Sequence, residues 1–450
     1  MARLPRTWRN PTQLAALLLA AWPASLAAQA AGIAAGPMNG YSEMREALVW
    51  LQTTASARVR IEYWDSTAPG TRMTTAEVLT EGRTAHTAKL VADRLEPGRV
   101  YHYGVLVDGS PVERPWPLRF QTQVLWQFRG DPPAFRIALA SCFYVNEPAY
   151  DRPGPAYGSD FQILGAVHRA RPDAMLWLGD NTYLREADWY TRTGILHRYS
   201  HTRAREELQP LLGSTHHYAI WDDHDYGPND SDRSFRDKAL TREAFQLFWG
   251  NATFGLEGQG GITTMFQWSD VDFFLLDNRW FRAPLDRVGG ERTILGREQR
   301  EWLIDALATS NASFKIVAMG GQFLNPLRRF EAYARWAEER EWILARLAEE
   351  RINGVFFISG DIHHTEMNRL ERAGSYALYD LTVSALTARV SRVDPQDGNM
   401  LRIPETVVEE HNFATLDFSG PRNDRRMTIT VWDAGGRKKW DRVVPASELR

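Results

Sequence analysis

Short apolar runs that end abruptly in polar residues constrain the fold of this chain more than any other feature of its sequence. The run 174–178 contains no charged residue and is followed at once by Gly179 and Asp180. An uncharged run of this length predicts a buried strand, which would deliver a carboxylate to its carboxyl end. A helix-like segment ends before Pro172, and another apolar run occupies 137–140, so the order strand, helix, strand predicts a parallel crossover.

The same pattern recurs along the chain, and residues able to bind a metal ion or a phosphate follow each apolar run. A single Asp after a strand usually belongs to a turn or a helix cap, but five or six endings of this kind are poorly explained by turns alone. Ligands of open α/β sheets bind beyond the carboxyl ends of the strands, so the endings predict one shared site. They are Cys142, Asp180 and the segments 222–225, 277–279, 320–322 and 359–364.

The length of the chain and the spacing of its apolar residues indicate two domains. A chain of 450 residues exceeds a typical domain, and an apolar fraction of 44% is ample for sizeable cores. Residues 42–125 contain short alternating runs divided by turn residues, which predict a small antiparallel β-sandwich resembling a fibronectin-III module. Residues 135–450 alternate apolar runs with amphipathic helices predicted at 235–249, 297–309 and 331–352, which is typical of an α/β layered domain. We expect a non-catalytic role for the β-sandwich, because it has no cluster of ligand-type residues.

Residues 1–30 have the pattern of a secretory signal peptide. Three arginines precede the apolar core 14–22, and the sequence Ala28-Gln29-Ala30 is a suitable cleavage site. The alternative is an uncleaved anchor, but the apolar core is much shorter than the ~20 residues that a spanning helix needs. We therefore expect export to the periplasm or the exterior of a bacterial cell, and a mature protein without a transmembrane segment.

The charge of the chain argues against nucleic acid as a partner. The formal net charge is -3, and no basic run with interleaved aromatic residues is present. We expect a monomer that acts on a small molecule.

The types of candidate ligand predict two metal sites that share one carboxylate. The first would combine a thiolate, a phenolate, an imidazole and a carboxylate, which suits a transition metal such as iron or zinc. Its donors are Cys142, Tyr183, His363 and Asp180. The second would add the oxygens of Asp223 and Asp361 to those of Asp180, which suits calcium, magnesium or manganese. A shared carboxylate is typical of a two-metal centre. Further ligands stay open among Asp222, Asn229, Gln322 and Asn325.

Three of the candidate residues have a structural alternative. Cys142 is the only cysteine, and its position at a strand end favours a metal-bound thiolate over a small apolar core residue. His224 could merely cap a turn, but two flanking aspartates would keep it protonated more readily, so that it donates to a leaving-group oxygen. Arg279 could clamp a phosphate or pair with Asp277 as a structural bridge, and both interpretations stay open.

Five motifs follow one another in a fixed order, and they carry a resemblance to a known family. They are Ala-Ser-Cys142, Gly-Asp180-Asn-Thr-Tyr183, Trp221-Asp-Asp-His-Asp-Tyr-Gly-Pro-Asn-Asp230, Leu-Asp277-Asn-Arg279 and Ser-Gly-Asp361-Ile-His363. Together they resemble the alkaline phosphatase D family of the calcineurin-like metallophosphoesterases. The resemblance implies a four-layer sandwich of two central β-sheets flanked by helices, and hydrolysis of phosphomonoesters or phosphodiesters by a hydroxide held between two ions.

The resemblance also implies which ions the two sites hold. It assigns iron(III) to the site of Cys142, Asp180, Tyr183 and His363, and calcium to the side of Asp180, Asp223 and Asp361. Zinc, manganese and magnesium are alternatives. The substrate would be a phosphate ester of a small molecule, or one derived from a lipid or a nucleotide, and the sequence does not choose between monoester and diester.

Two other functions compete with this interpretation. A purple-acid-phosphatase-like iron enzyme also has a β-module in front, but its site begins with Asp-x-His, and here that position reads Ser-Cys142. An exported binding protein with a degenerate site would have no need for Cys142, Asp180, Asp361 and His363 together. Tightly bound metal in the purified protein separates the second alternative from an enzyme.

Overall fold

Strands and helices alternate along residues 31–450, which are the residues that the computed structural model describes. The predicted signal peptide, residues 1–30, lies outside them. Within the described range the strands form three sheets, of nine, six and six strands, so the fold is mixed α/β with multiple sheets. None of the helices in residues 31–450 combines the length and the apolar character needed to cross a membrane.

The elements are numbered in chain order. The first nine strands are β1 (Ile33–Ser42), β2 (Ala47–Thr53), β3 (Arg58–Asp65), β4 (Met73–Thr74), β5 (Val78–Leu79), β6 (Thr87–Ala92), β7 (Val100–Val107), β8 (Ser110–Val112) and β9 (Arg119–Gln121). The others are β10 (Phe135–Ala140), β11 (Ala174–Leu178), β12 (His216–Ile220), β13 (Thr264–Trp268), β14 (Val271–Leu275), β15 (Phe314–Ala318), β16 (Val355–Ser359), β17 (Glu366–Leu370), β18 (Leu378–Thr382), β19 (Asn412–Ser419), β20 (Arg426–Asp433) and β21 (Lys438–Pro445). The α-helices are α1 (Gln162–Arg169), α2 (Arg192–Arg203), α3 (Gln209–Leu212), α4 (Asp223–Tyr226), α5 (Lys238–Phe248), α6 (Arg297–Thr309) and α7 (Ala337–Glu349).

The nine-stranded sheet contains the strand, helix, strand unit that the sequence predicted. Its order is β21-β20-β19-β10-β11-β12-β1-β2-β6, and β10, β11 and β12 run parallel. All five residues of β11 are buried, as expected for a strand covered on both faces. Helix α1 connects β10 to β11 and buries Ile163, Leu164 and Val167. The unit therefore places the residues after β10 and β11 next to each other.

The second central sheet has the order β13-β14-β15-β16-β18-β17. Neighbours from β14 to β18 pair in parallel. Phe273 of β14 packs edge-on against Phe418 of β19, with ring centroids 6.3 Å apart, so the two sheets pack face to face. A Cβ atom on Gly360, after β16, would lie 2.6 Å from the Cβ of Ser141, after β10. Only glycine permits this approach, which joins the carboxyl ends of both sheets.

The N-terminal strands divide between two sheets, which differs from the separate sandwich expected for residues 42–125. Strands β1, β2 and β6 belong to the nine-stranded sheet, where Asn39 of β1 pairs in parallel with His216 of β12. The third sheet consists of β3, β4, β5, β7, β8 and β9, and it packs on β2 and β6 through residues such as Val49 and Val59. The local pattern could not reveal the pairing of β1 with β12, because the partners lie far apart in the chain. The division of the chain near 125–135 stays a prediction.

Most predicted elements agree with the structure, and the exceptions have local causes. The predicted helix 297–309 coincides with α6. The helix expected at 331–352 begins only at Ala337, because Tyr333–Trp336 forms a 3₁₀ turn. Helix α2 was not predicted, since it buries Arg198 and Arg203 and so lacks a clear apolar stripe.

Candidate metal centre

The predicted ligands follow four strands of the two central sheets. Three of these strands are neighbours in the nine-stranded sheet, and the fourth belongs to the second sheet. Cys142 follows β10, Asp180 follows β11, Asp223 begins α4 after β12, and Asp361 and His363 follow β16. Because β10, β11 and β12 are parallel neighbours and Gly360 touches Ser141, all four connections open at the same edge.

The backbone at these positions is unusual. Four of the predicted ligands adopt the left-handed region, with φ of 59° at Cys142, 53° at Asp180, 72° at Asp361 and 61° at His363. Such conformations cost free energy for residues other than glycine and concentrate at functional sites. Hydrogen bonds hold them in place, from the Cys142 amide to the Gly179 carbonyl at 3.2 Å and from the His363 amide to the Ser384 hydroxyl at 3.1 Å. The chain therefore turns sharply after each strand and directs these side chains toward a common point.

The first group of side chains contains the four donors expected for a transition metal. Ligand atoms of Cys142, Asp180 and His363 all lie within 4.8 Å of one another. The Tyr183 hydroxyl lies 3.2 Å from Nε2 of His363. Nδ1 of His363 lies 2.7 Å from a backbone carbonyl, an arrangement that leaves Nε2 with a lone pair for a ligand.

The second group shares Asp180 with the first. Ligand atoms of Asp180, Asp223 and His224 lie within 4.8 Å of one another, and so do those of Asp223, Asp230 and Glu331. Asp361 lines the same cleft, but it is in none of the close groups found among residues 31–450. The predicted oxygen site consisted of Asp180, Asp223 and Asp361. The structure places two further carboxylates, those of Asp230 and Glu331, close to Asp223.

Burial of this much negative charge perturbs the acidic groups of the metal-free site. Burial, followed by the charge of Asp223, raises the pKa of Asp180 well above its ordinary value. Burial, with the charges of Asp222 and Glu331, does the same to the pKa of Asp361. Burial also raises the pKa of the Cys142 thiol to about 12. A bound cation would stabilise all three anions. The donor set and its unbalanced charge therefore fit metal ions.

The site opens into a cleft of about 580 Å³. Most of the predicted ligands line it, together with Tyr157 and Phe330, which provide aromatic surface. The predicted residues on its wall are Asp180, Asp223, His224, Asn229, Gln322, Asn325, Asp361 and His363. This cleft is large enough for a small organic ligand.

Removing the metal ions is expected to lower the melting temperature more at about pH 7.5 than at about pH 5.5. The carboxyls of Asp180 and Asp361 have raised folded-state pKa values. In the metal-free protein each therefore costs stability as the pH rises above its unfolded pKa of about 3.9, and protonation relieves this cost at lower pH. Thermal melts of chelator-treated and metal-loaded protein at both pH values measure the difference. If metal removal lowered the melting temperature equally at both pH values, the idea that the site carries unbalanced negative charge would be contradicted.

Comparisons with known proteins agree with this arrangement. A family model described as PhoD-like phosphatase matches residues 137–420, more than half of the chain. The chain belongs to the PhoD-like phosphatase family. A second model, a domain of unknown function (DUF7800), matches residues 30–125.

Individual relatives of this PhoD-like chain are distant in sequence and similar in fold. Alkaline phosphatase D of Bacillus subtilis (strain 168) is 22% identical over 330 residues, which cover 62% of this chain and 53% of that protein. The chain thus spans about half the length of that curated relative. A solved structure of PhoD superposes with a TM-score of 0.73 at 15% identity, covering 90% of this chain and 91% of the other. A purple acid phosphatase from yellow lupin (Lupinus luteus) seeds superposes with a TM-score of 0.65 at 12% identity, covering 92% and 74%.

Arg279 of the PhoD-like domain is buried behind the cleft, which favours the structural one of its two alternative roles. Its side chain is fully buried. Its guanidinium donates to Asp222 at 2.5 Å and to both carboxylate oxygens of Glu331 at 2.8 and 2.6 Å. The Asp277 carboxylate accepts a bond from the backbone amide of Arg279 and none from its guanidinium. The structural alternative therefore fits the geometry, with Asp222 and Glu331 as partners in place of Asp277.

The same ion pairs determine the orientation of Asp222, one of the residues left open as a ligand. Asp222 has no exposed surface, and it also accepts a bond from the Asn278 amide group at 2.7 Å. Its carboxylate therefore faces Arg279, whereas the Asp223 carboxylate faces the cleft. Gln322 and Asn325 reach the cleft, but the Asn325 amide donates to Gln322 at 2.7 Å, which occupies one potential ligand oxygen.

His224 lies on the cleft wall, and its ionisation differs from the expectation. Burial, more than any other cause, lowers the pKa of His224 to about 4, and the attraction of Asp223 only partly opposes it. The other flanking residue, Asp225, accepts bonds from the backbone amides of Asn181 and Thr182. The imidazole is therefore neutral near pH 7, and it packs on the Tyr183 ring with centroids 4.3 Å apart. A neutral imidazole still offers one N–H donor.

Several residues that surround the predicted metal ligands were not among the predicted site residues. Ser384 donates to the Cys142 sulfur at 3.1 Å, and Ser141 does so at 3.3 Å. Glu331 holds Arg279 and Arg282 and also contacts the acidic group. Ser384 and Glu331 lie in irregular segments, and no pattern of spacing marks them. Only the tertiary structure brings them to the site.

Proposed function

We propose that this PhoD-like protein hydrolyses phosphate esters, with phosphomonoesters and phosphodiesters as the candidate substrates. The observation that carries the proposal is the position of Asp180, whose carboxylate belongs to two groups of metal-ligand atoms in one cleft. A carboxylate shared in this way is typical of a two-metal centre. Membership of the PhoD-like family supports the same reaction.

The donor chemistry supports iron(III) in the group of Cys142, Asp180, Tyr183 and His363. It supports calcium among the oxygen donors of the second group, with Asp361 as a further ligand from the cleft wall. The bound ions would supply positive charge that activates water and neutralises phosphate oxygens. Zinc, manganese or magnesium would fit the same donors less specifically.

The protein side chains orient these groups and the substrate. The hydroxyls of Ser141 and Ser384 donate to the sulfur of Cys142, which stabilises its thiolate form. His224 is held against Tyr183 and would donate its N–H to an oxygen of the phosphate or of the leaving group. Arg279 acts as a positioning residue, since it fixes Glu331 behind the acidic group.

The proposal is tested with the purified protein and a pair of chromogenic substrates. p-Nitrophenyl phosphate reports monoesterase activity and bis-p-nitrophenyl phosphate reports diesterase activity. We expect hydrolysis of at least one, with metal present in the purified protein and activity lost on chelation and restored by iron and calcium. If the protein is purified without metal and hydrolyses neither ester after iron and calcium are added, the result would instead support a binding protein with a degenerate site.

The finer parts of the expected fold and location are also proposals. We propose a four-layer sandwich around the two central sheets, and a fibronectin-III-like origin for residues 42–125. The bond from the Glu96 amide to the Tyr101 hydroxyl, 2.8 Å long, supports the second point, since a tyrosine corner contains such a bond. We further propose a monomer.

Export is proposed from the sequence of residues 1–30. The exported protein is expected to begin at Ala31, because Ala28-Gln29-Ala30 precedes it. N-terminal sequencing of the protein recovered from the periplasm or the medium measures this. A secreted form that still begins with Met1 would contradict cleavage.

A further inference from the structure

Four arginines without a carboxylate partner line a groove beside the cleft. The groove has a volume of about 400 Å³, and Arg287, Arg292, Arg328 and Arg335 contribute to its wall together with a single acidic residue, Asp286. None of these four arginines forms an ion pair with any of the residues 31–450, although thirty ion pairs occur in that range. The groove therefore carries an excess of positive charge that the protein itself does not neutralise.

Two loops form this basic groove, and hydrogen bonds hold them together. The guanidinium of Arg292 donates to the carbonyl of Leu285 and, on the other loop, to that of Arg335, each at 3.2 Å. The Arg287 guanidinium donates to the Gly289 carbonyl at 2.6 Å. Gly290 has a φ of 79°, and a Cβ atom there would collide with the Arg287 guanidinium. Arg287 and Arg292 are thus ordered by backbone carbonyls, while several N–H groups of the four arginines stay available for a ligand.

Neighbouring residues of one segment line the basic groove and the cleft. Arg328 lines the groove, and the segment 329–332 that follows it lines the cleft. Glu331 in this segment belongs to the acidic group with Asp223. Three residues of extended chain span at most about 11 Å, so Arg328 lies within that distance of Glu331, measured between Cα atoms. A ligand that occupies the cleft could therefore reach the groove with a short extension.

The arginines of the cleft wall are neutralised, in contrast to those of the groove. Arg329 and Arg402 both pair with Asp397, and Arg402 also pairs with Glu366. A negative group that extends from the cleft would therefore find uncompensated positive charge in the groove.

We propose that the basic groove binds a second phosphate group of the substrate, so that the preferred ester carries at least two phosphates. The inference rests on the proposed hydrolysis of phosphate esters in the cleft. Guanidinium groups bind phosphate oxygens through paired N–H donors, and two loops that present four of them suit a dianionic group. The groove thereby selects the substrate, while the cleft contains the reacting groups.

The first test measures binding and does not depend on turnover. Calorimetric titration of the metal-loaded protein compares linear alkane bisphosphonates with the matching alkylphosphonates, over linkers of about three to ten carbons. We expect the bisphosphonate to bind about tenfold more tightly at the best linker length and to lose this advantage at high salt, which screens exposed charges. Equal affinity of both ligands at every length would overturn the inference.

The variant Arg287→Gln/Arg328→Gln assigns the binding to the groove. It should lose most of the preference for the bisphosphonate, about threefold for each arginine, and keep the affinity for the alkylphosphonate. Arg129→Gln is the matched control, because Arg129 is exposed, has no ion pair within residues 31–450 and lies outside the groove. A double variant that keeps the preference would overturn the assignment.

Kinetics separate this inference from the proposed function. Butane-1,4-diol bisphosphate and 4-hydroxybutyl phosphate differ only in the second phosphate, and kcat/KM for phosphate release should favour the first in the wild type alone. If neither ester is hydrolysed but the bisphosphonate still binds more tightly through Arg287 and Arg328, the proposed function fails and the groove assignment holds. If both esters are hydrolysed equally well and the phosphonates bind equally, the groove assignment fails and the proposed function holds.

Discussion

Cys142→Ser is expected to lower phosphoesterase activity by more than about 100-fold and to deplete the transition metal. Changes next to a metal ligand already cost 10–100-fold, and this variant replaces a soft anionic donor by a neutral hydroxyl of similar size. The Cys142 sulfur is fully buried and receives hydrogen bonds from Ser141 and Ser384, which favour its anionic form when a cation is near. If the ion is iron(III), thiolate and phenolate charge transfer should colour the wild type, and the variant should be colourless.

The alternative role of Cys142 as a core residue predicts a different result for the same variant. A packing role implies a stability loss of about 1 kcal/mol with metal content and activity unchanged. Ser384→Ala serves as the matched control, since it removes a hydrogen bond to the sulfur but keeps the thiolate, and it should reduce metal affinity only partly. Metal analysis, visible absorption and initial rates measure the three proteins side by side. A fully active Cys142→Ser protein with unchanged metal would exclude the thiolate ligand.

Asp180→Asn is expected to abolish activity and to lose both kinds of metal ion together. Asp180 contributes ligand atoms to both groups, so an amide in its place weakens both sites at once. The backbone should tolerate the change, because Asn readily adopts the left-handed φ of 53° found there. Its Oδ1 can still accept the bond from the His224 amide, which is 3.2 Å long in the wild type.

The stability of Asp180→Asn gives an independent readout. Without metal, the variant should melt at a higher temperature than the wild type near neutral pH, because it lacks a buried carboxyl whose pKa is raised. With metal, the order should reverse, since only the wild type gains stability from the ions. Asp394→Asn is the control, because Asp394 lines the cleft but belongs to none of the close ligand groups of residues 31–450. If Asp180→Asn retained full activity, the shared-carboxylate site would be excluded.

The sequence predicted where the candidate ligands meet, because Cys142 and Asp180 directly follow strands. Cys142 and Asp180 follow apolar runs that form β10 and β11, and parallel neighbours bring such ends together without further information. His363 lies in a loop after β16 in the second sheet, and its approach to Tyr183 depends on how the two sheets pack. For His363 the resemblance to a family supplied what periodicity could not.

The parts that could not be predicted depend on tertiary contacts. Whether Arg279 faces the substrate or the interior depends on Glu331, which lies 52 residues away in an irregular segment. The ionisation of His224 is set mainly by burial, and no count of neighbouring aspartates reveals burial. The sequence also gave no sign of the basic groove, because its four arginines come from two separate loops in a chain of net charge -3.

The position of β1 inside the nine-stranded sheet determines when this sheet can be completed during synthesis. The strand lies between β12 and β2, and Ser42 at its end bonds to Tyr218, which is 176 residues later in the chain. During synthesis from the N-terminus, one edge of β1 therefore stays unpaired until nearly half of the protein exists. Such an edge can pair with other chains. A fragment that begins at residue 135 would expose the corresponding edge of β12. This fragment should aggregate rather than elute as a monomer in size-exclusion chromatography. The N-terminal strands thus complete the sheet whose strands carry the proposed metal ligands.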